Sequence, residues 1–128
     1  MNNPYQEYVL DHYRLRYRNG DLKLFRGKGV LAGRSISVVC GDSISIKARI
    51  SKGVITEILW QGEGCCFAES AASMVAQYAE HTSVKHMLEF TDSDMFELFQ
   101  ADFPKARAGC ILVAIKALRE LLEKYDAN

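Results

Sequence analysis

Apolar and polar residues alternate in the middle of the chain with the period of two that is typical of half-buried β-strands. The run Ser43–Ile50 alternates over its whole length and predicts a strand with one face in the core. Ser51-Lys52-Gly53 is a tight-turn sequence, and the β-prone run Val54–Gln61 follows it, so an antiparallel hairpin is predicted. A further β-prone run, Ile36–Cys40, precedes the hairpin. Together these runs predict a meander of two or three strands.

The chain on either side of the meander has the residue spacing of amphipathic helices. Asn3-Pro4 is suited to begin a first helix, as N-cap and first helical residue. A second helix is predicted from Cys65, and short helices over Ser83–Phe90 and Asp92–Gln100, the latter capped by Thr91. The last helix lies beyond a proline, and its predicted core face consists of Ile111, Ala114, Leu118, Leu121, Leu122 and Tyr125.

The segment between the first helix and the meander is rich in glycine. Gly27, Gly29 and Gly33 lie close together, which favours a loop, so we expect residues 1–33 to form a mobile N-terminal helix and loop. Strands followed by helices are typical of an α+β fold with helices packed on one face of a small sheet. A length of 128 residues suits a single domain, 1–128.

Charge and hydropathy exclude several classes of protein. The 16 basic and 16 acidic side chains balance, whereas a generic nucleic-acid-binding domain is clearly basic, so no nucleic-acid partner is expected. No apolar run approaches the length of a membrane span, and the N-terminus does not have the layout of a signal peptide. We therefore expect a cytoplasmic protein without a membrane partner.

The charges are nevertheless segregated along the chain. Seven basic residues lie between Arg14 and Arg34 with the single acid Asp21, and nine acids lie between Glu57 and Asp102 with the single base Lys85. Two interpretations stay open: ordinary solvated surface, or a docking surface for a protein of complementary charge.

The four cysteines are the residues most relevant to chemistry. In a chain without a secretory signal, cysteines are more often thiols, metal ligands or redox centres than structural disulfides. In extended backbone Cys40 and Asp42 would point to the same side, so that a thiolate and a carboxylate could face one ion. Cys65 and Cys110 each follow a glycine at a predicted helix start, where the unpaired amides favour a negatively charged ligand.

This set of ligands has more than one interpretation. Cys40, Asp42, Cys65 and Cys110 could hold tetrahedral zinc, or equally a two-iron cluster with one oxygen ligand. The alternative is that the cysteines are only small buried residues. Cys66 points about 100° away from its neighbour on a helix, so we expect it to pack outside the site. The three histidines, His12, His81 and His86, are expected to be satisfied or solvent-facing rather than ligands.

Several motifs, in the same order along the chain, resemble those of the NifU/IscU-type iron-sulfur scaffold family, including its SufU branch. The resemblance covers nearly the whole sequence, and the ordered combination is more specific than any single motif. Its motifs are Leu10-Asp11-His12-Tyr13, Cys40-Gly41-Asp42, Gly62-Glu63-Gly64-Cys65, Ala71-Ala72-Ser73-Met74, and Cys110 at the start of a helix rich in leucine and alanine.

The resemblance implies a three-stranded antiparallel sheet, packed helices and a specific chemistry. Cys40, Cys65 and Cys110 would hold zinc or a transient [2Fe-2S] cluster, with Asp42 making the site labile. Sulfur would arrive as persulfide from a pyridoxal-phosphate cysteine desulfurase, and Cys110 is the candidate acceptor. The chain would then be a scaffold that hands its cluster to apo iron-sulfur proteins, with no pyridoxal cofactor and no enzymatic activity of its own.

Differences from the family pattern bear on the branch. The IscU branch has a histidine directly before its last cysteine and a chaperone-recognition stretch before that, where this chain has Gly109 and Phe103–Arg107. This speaks against recognition by the dedicated Hsp70-type chaperone. The SufU branch has an extra segment that is missing between Cys65 and Cys110. Three functions stay open: cluster scaffold, zinc-dependent sulfur acceptor that activates a desulfurase, and structural zinc or redox module.

Overall fold

The computed structural model describes residues 4–38 and 41–127, and side chains from residue 6 onward within these ranges. Three strands form one antiparallel sheet in the order β1-β2-β3: β1 is Val30–Ser37, β2 is Asp42–Ser51 and β3 is Val54–Glu63. Lys52 and Gly53 connect β2 to β3 with φ angles of 51° and 76°, as a two-residue hairpin turn requires. The predicted meander is thus confirmed, with three strands.

In the described part of the chain, five helices accompany the sheet, and two short 3₁₀ turns precede the first strand and the last helix. Thr91 caps one of the helices as predicted: its hydroxyl and the Asp94 carboxylate form a capping box. Within the described residues, none of the helices has both the length and the apolar character needed to cross a bilayer. Their bounds are Pro4–Leu15 (α1), Cys66–Ala79 (α2), Val84–Leu88 (α3), Asp92–Phe99 (α4) and Ala108–Asp126 (α5).

The core lies between one face of the sheet and the helices α2 and α5. Alternate residues of β2 are buried, as its polar-apolar alternation predicts. The long helix α5 contacts both β1 and β2, and α2 packs against α5 and β3. The fold is therefore α+β with helices packed on one face of a small sheet, as predicted. The core face of β2 consists of Ile44, Ile46, Ala48 and Ile50.

The prediction for the first strand was wrong in its position. The strand was expected over Ile36–Cys40, but it begins at Val30, inside the segment 1–33 that was expected to be a helix and loop, and it ends at Ser37. Gly33 explains the error, because a Cβ atom there would lie 2.1 Å from the carbonyl oxygen of Ala117 in α5. This glycine permits the close packing of a strand on a helix, whereas its sequence neighbours suggested a turn.

The N-terminal segment packs against α2 through buried polar contacts. His12 Nδ1 lies 2.8 Å from Ser73 Oγ, and the backbone N–H of Tyr17 donates to the same hydroxyl. Arg16 pairs with Glu69 of α2, and Arg18 pairs with Glu80 just beyond it. Some of the segregated charges therefore form ion pairs between two segments of the same chain. Mobility of residues 1–33 stays a prediction.

Candidate metal centre

Three predicted ligands meet where β2, α2 and α5 begin. Asp42 is the first residue of β2, Cys65 is the N-cap residue of α2, and Cys110 lies in the first turn of α5. Because Ser43 pairs with Glu63 at the end of β3, the starts of β2 and α2 lie at the same end of the sheet. One ligand atom from each of the three residues lies within 4.8 Å of the other two.

Asp42 is held in place by the N-terminus of α2. Its carboxylate is almost fully buried, and Oδ1 accepts a hydrogen bond from the backbone N–H of Cys65 at 2.9 Å. The second oxygen, Oδ2, lies 3.6 Å from Cys65 Sγ. A Cβ atom on Gly64 would lie 2.8 Å from Oδ1, so glycine is needed at this position for the carboxylate to approach. The positive end of the helix dipole also favours the negatively charged carboxylate.

The two cysteines differ in their access to solvent. The side chain of Cys110 is fully buried and its sulfur is disulfide-bonded in the structure, whereas Cys65 is a partly exposed free thiol. The expectation of thiols rather than disulfides is therefore wrong for Cys110, which must be reduced before it can bind an ion. The guanidinium of Arg107 lies 4.0 Å from Cys110 Sγ. Sequence reasoning missed this contact, although a basic residue three positions before a helical cysteine is the signal that would have found it. Because Cys65 is the more exposed of the two cysteines, a reagent that approaches from solvent meets it first.

The spacing and chemistry of these donors suit a transition-metal ion. In tetrahedral zinc sites the bonds to sulfur and oxygen are about 2.3 Å and 2.0 Å, so neighbouring ligand atoms stand about 3.5–3.8 Å apart. The Asp42 Oδ2 to Cys65 Sγ separation of 3.6 Å falls in this range. Thiolate and carboxylate donors together are also compatible with iron. Once Cys110 is reduced, the three side chains could thus hold one ion.

Cys40, the fourth predicted ligand, lies outside the described residues, so the complete four-ligand site stays a prediction. The backbone beside it differs from the expectation. Cys40-Gly41-Asp42 was expected to be extended, but Gly41 has a φ of 71° and its N–H donates to Ser37 O at 2.8 Å. Gly41 itself therefore does not have extended geometry, and β1 and β2 pair up to Ser37 and Asp42.

Cys66 does not belong to the group of ligand atoms found among the described residues. Its Sγ lies 3.8 Å from Ser70 Oγ, and its side chain packs against the core. It also lines a groove of about 260 Å³ with residues that include Val9 and Phe99. These contacts agree with its expected position outside the site.

The histidines also lie away from this group. His12 is buried and satisfied by Ser73, and burial lowers its pKa while nearby Asp11 raises it to a smaller extent. His81 and His86 are exposed, and His86 contacts the hydroxyl of Tyr78. All three agree with the expectation that they are satisfied or solvent-facing.

Comparison with known sequences identifies similar proteins over almost the whole chain. The family model described as the NifU-like N terminal domain matches residues 4–128. The iron-sulfur cluster assembly scaffold protein IscU 1 of Archaeoglobus fulgidus is 26% identical over 121 residues, covering 94% of this chain and 76% of the relative. The zinc-dependent sulfurtransferase SufU of Bacillus subtilis is 26% identical over 150 residues, covering 100% of this chain and 95% of the relative.

Solved structures have the same fold. The N-terminal NifU-like protein of Brucella abortus superimposes with a TM-score of 0.78 at 15% identity, covering 97% of this chain and 95% of the other. The SUF-system protein FiSufU of Fervidobacterium islandicum gives a TM-score of 0.75 at 14% identity, covering 91% and 94%. At these identities the likeness concerns the fold alone, and it confirms the predicted architecture.

Proposed function

This chain belongs to the NifU-like N-terminal domain family, and we propose that it is a scaffold for iron-sulfur cluster assembly. In this role it accepts sulfur from a cysteine desulfurase, binds iron or zinc, and transfers the finished cluster to apo iron-sulfur proteins. The desulfurase carries the pyridoxal phosphate and breaks the carbon-sulfur bond, so the scaffold needs no catalytic machinery of its own. The reducing cytoplasm suits such thiol chemistry.

The observation that carries this proposal is the convergence of Asp42, Cys65 and Cys110 at one end of the sheet. Two cysteine sulfur atoms and a carboxylate from distant positions are brought within ligand distance. The hydrogen bond to Asp42 and the absence of a side chain at Gly64 preserve this approach. Cys40 is the expected fourth ligand. Iron and sulfide are the cargo of this site rather than a permanent part of the protein.

Sulfur transfer requires a thiolate that can reach the donor. Cys110 is disulfide-bonded in the structure, so this step starts from the protein after reduction by a thiol reductant. The Cys110 thiolate then attacks the outer sulfur of the donor's persulfide, a new S–S bond forms on Cys110, and the donor cysteine leaves as a thiolate with no net oxidation. Because Cys110 is fully buried, the site must open before this step. Asp42 makes opening easier, since a carboxylate is a harder and weaker partner for a sulfur-rich site than a fourth thiolate.

Anaerobic reconstitution tests the proposal. The reduced protein is incubated with ferrous iron, cysteine and a cysteine desulfurase, and cluster formation is followed by visible absorption, metal analysis and mass spectrometry. We expect cluster absorption bands for the wild type and the control Cys66→Ser, and their loss for Cys65→Ser. Absence of both cluster bands and cysteine persulfide in the wild type would refute the proposal.

A second function, a zinc-dependent sulfur acceptor that activates the desulfurase, is favoured by one feature of the geometry. The three ligand atoms lie within 4.8 Å of one another, as around a single ion. In a two-iron cluster, ligands on different irons stand farther apart. This function predicts tight zinc binding and strong desulfurase stimulation without cluster transfer to an apo-ferredoxin.

A further inference from the structure

The strand β1 leaves one edge of the sheet open. In its antiparallel ladder with β2, Ile50 N–H donates to Gly29 O, which makes Gly29 and Ile50 a hydrogen-bonded pair. Such pairs alternate along an antiparallel ladder, so the backbone groups of Ala32, Arg34 and Ile36 point away from β2. Outward-facing N–H and C=O groups of this kind form a template for another strand.

One end of this edge is closed by the protein itself. Lys124 Nζ donates to Ala32 O at 2.7 Å, so that carbonyl is already satisfied. Within residues 4–38 and 41–127, no group pairs with the backbone N–H of Arg34 or Ile36. The open stretch is therefore Arg34–Ser37, and Val38 follows it in a turn.

The opposite edge of the sheet, along β3, is covered by other parts of the chain. Along β3, Trp60 N–H donates to Arg18 O and Ile55 N–H donates to Thr82 O. The N-terminal segment and the residues after α2 thus cover that edge. Proteins normally cover, charge or shorten an exposed edge, because it can pair with other chains. An edge left open on the strand beside the candidate metal centre is consistent with a use in binding.

The side chains on this stretch combine apolar contact area with positive charge. Ile36 is 54% exposed and Val38 is 91% exposed. No acidic residue occurs between Asp21 and Asp42, whereas this interval contains four cations, all of which are exposed. Among the described residues, none of the four belongs to an ion pair. They are Lys23, Arg26, Lys28 and Arg34, of which only Arg34 lies in β1; the other three precede this strand.

We propose that an extended acidic and apolar segment of a partner protein adds to β1 as a fourth strand over Arg34–Ser37. Its backbone pairs with Arg34 and Ile36, its apolar side chains cover Ile36 and the neighbouring Val38, and its acids face Arg34. A second copy of this chain fits less well, because pairing two β1 edges would bring like charges together. The proposal stands apart from the sulfur chemistry. The segment would lie close to Asp42, which pairs with Ser37 at the end of β1.

The test uses two blocked peptides of matched length, Val-Glu-Val-Glu-Val and Val-Lys-Val-Lys-Val, and the reduced, metal-free protein. Amide hydrogen exchange measured by NMR should slow at Arg34 and Ile36 with about 1 mM acidic peptide, a concentration suited to weak strand pairing. The amides of Gly33 and Ser35, which already face β2, should not change. The basic peptide should have no effect.

Two kinds of variant test the contribution of charge and the contribution of backbone pairing separately. Arg34→Glu should weaken binding of the acidic peptide by about tenfold or more and allow the basic peptide to bind, whereas Lys116→Glu on the exposed face of α5 should change neither. Ile36→Pro removes the outward N–H without removing a β1–β2 hydrogen bond, and should abolish binding.

Three results would overturn the proposal. These are unchanged exchange at Arg34 and Ile36, equal binding of both peptides, or self-association of the protein that protects the same amides without peptide.

Discussion

Replacing Gly33 with alanine tests how closely β1 packs on α5. The new Cβ would lie 2.1 Å from Ala117 O and 2.9 Å from Leu121 N, both of which are backbone atoms that cannot rotate away. The strand and the helix must therefore separate. Overpacking of this kind costs about 1–3 kcal/mol, and we expect the upper part of that range because the contact is with backbone. For 128 residues, about 2–3 kcal/mol corresponds to a fall in Tm of roughly 7–11 °C.

Gly109→Ala is the matched control for this prediction. A Cβ atom there would meet only Ser37 Oγ at 3.9 Å, an ordinary contact, and the position is helical. Alanine should raise stability by up to about 1 kcal/mol. Thermal unfolding of the reduced, metal-free proteins, followed by circular dichroism, measures both effects. A Gly33→Ala protein that unfolds at the wild-type temperature would refute the packing argument.

Three further predictions concern pH, the cysteines and a helix cap. Because burial lowers the pKa of His12 below its ordinary 6.5, the unfolded chain binds more protons between the two values. The Tm should therefore fall as the pH drops through about 6.5. The fall should be smaller in His12→Asn than in wild type or in the exposed control His81→Asn. Equal dependence of Tm on pH in all three proteins would contradict this. Zinc content after anaerobic loading should fall in Cys65→Ser and stay at the wild-type level in Cys66→Ser. Loss of zinc in Cys66→Ser but not in Cys65→Ser would show that Cys66, and not Cys65, is the ligand. Thr91→Ala should cost about 1 kcal/mol in chemical denaturation, and no loss would mean that the capping box contributes nothing.

Local patterns predicted most of the fold. The alternation of Ser43–Ile50 identified β2, and the Lys52-Gly53 turn identified the hairpin, because both signals depend only on neighbouring residues. The start of β1 was not predictable in this way. Gly33 lies in a strand because of its contact with Ala117, more than eighty positions later in the chain. A single sequence does not reveal that partner.

The candidate site was predictable in its residues but not in its geometry. Glycines before Cys65 and Cys110 indicated helix starts, and the structure places both cysteines at or near such starts. The hydrogen bond from the Cys65 backbone to Asp42 and the burial of Cys110 depend on how β2 and α5 pack together. The geometry of Gly41, which is not extended, depends likewise on the pairing of β1 with β2.

The partners of the segregated charges could not be predicted from the sequence either. Sequence reasoning considered solvated surface or a partner protein for the basic segment. In the structure Arg16 and Arg18 pair with Glu69 and Glu80, so the chain's own acids bind part of it. The side-chain hydrogen bond to Glu80 is the main cause of a raised pKa at Arg18. An intramolecular pairing between distant segments cannot be distinguished from an intermolecular one by charge pattern alone.

The central claim is that Asp42, Cys65 and Cys110, with Cys40 as the predicted fourth ligand, form one openable metal centre. X-ray absorption spectroscopy of the reduced protein loaded with one equivalent of zinc tests it most directly. The account predicts three sulfur ligands at about 2.3 Å and one oxygen at about 2.0–2.2 Å, with one sulfur fewer in Cys65→Ser. Coordination by nitrogen and oxygen alone, or an unchanged number of sulfur ligands in Cys65→Ser, would contradict it.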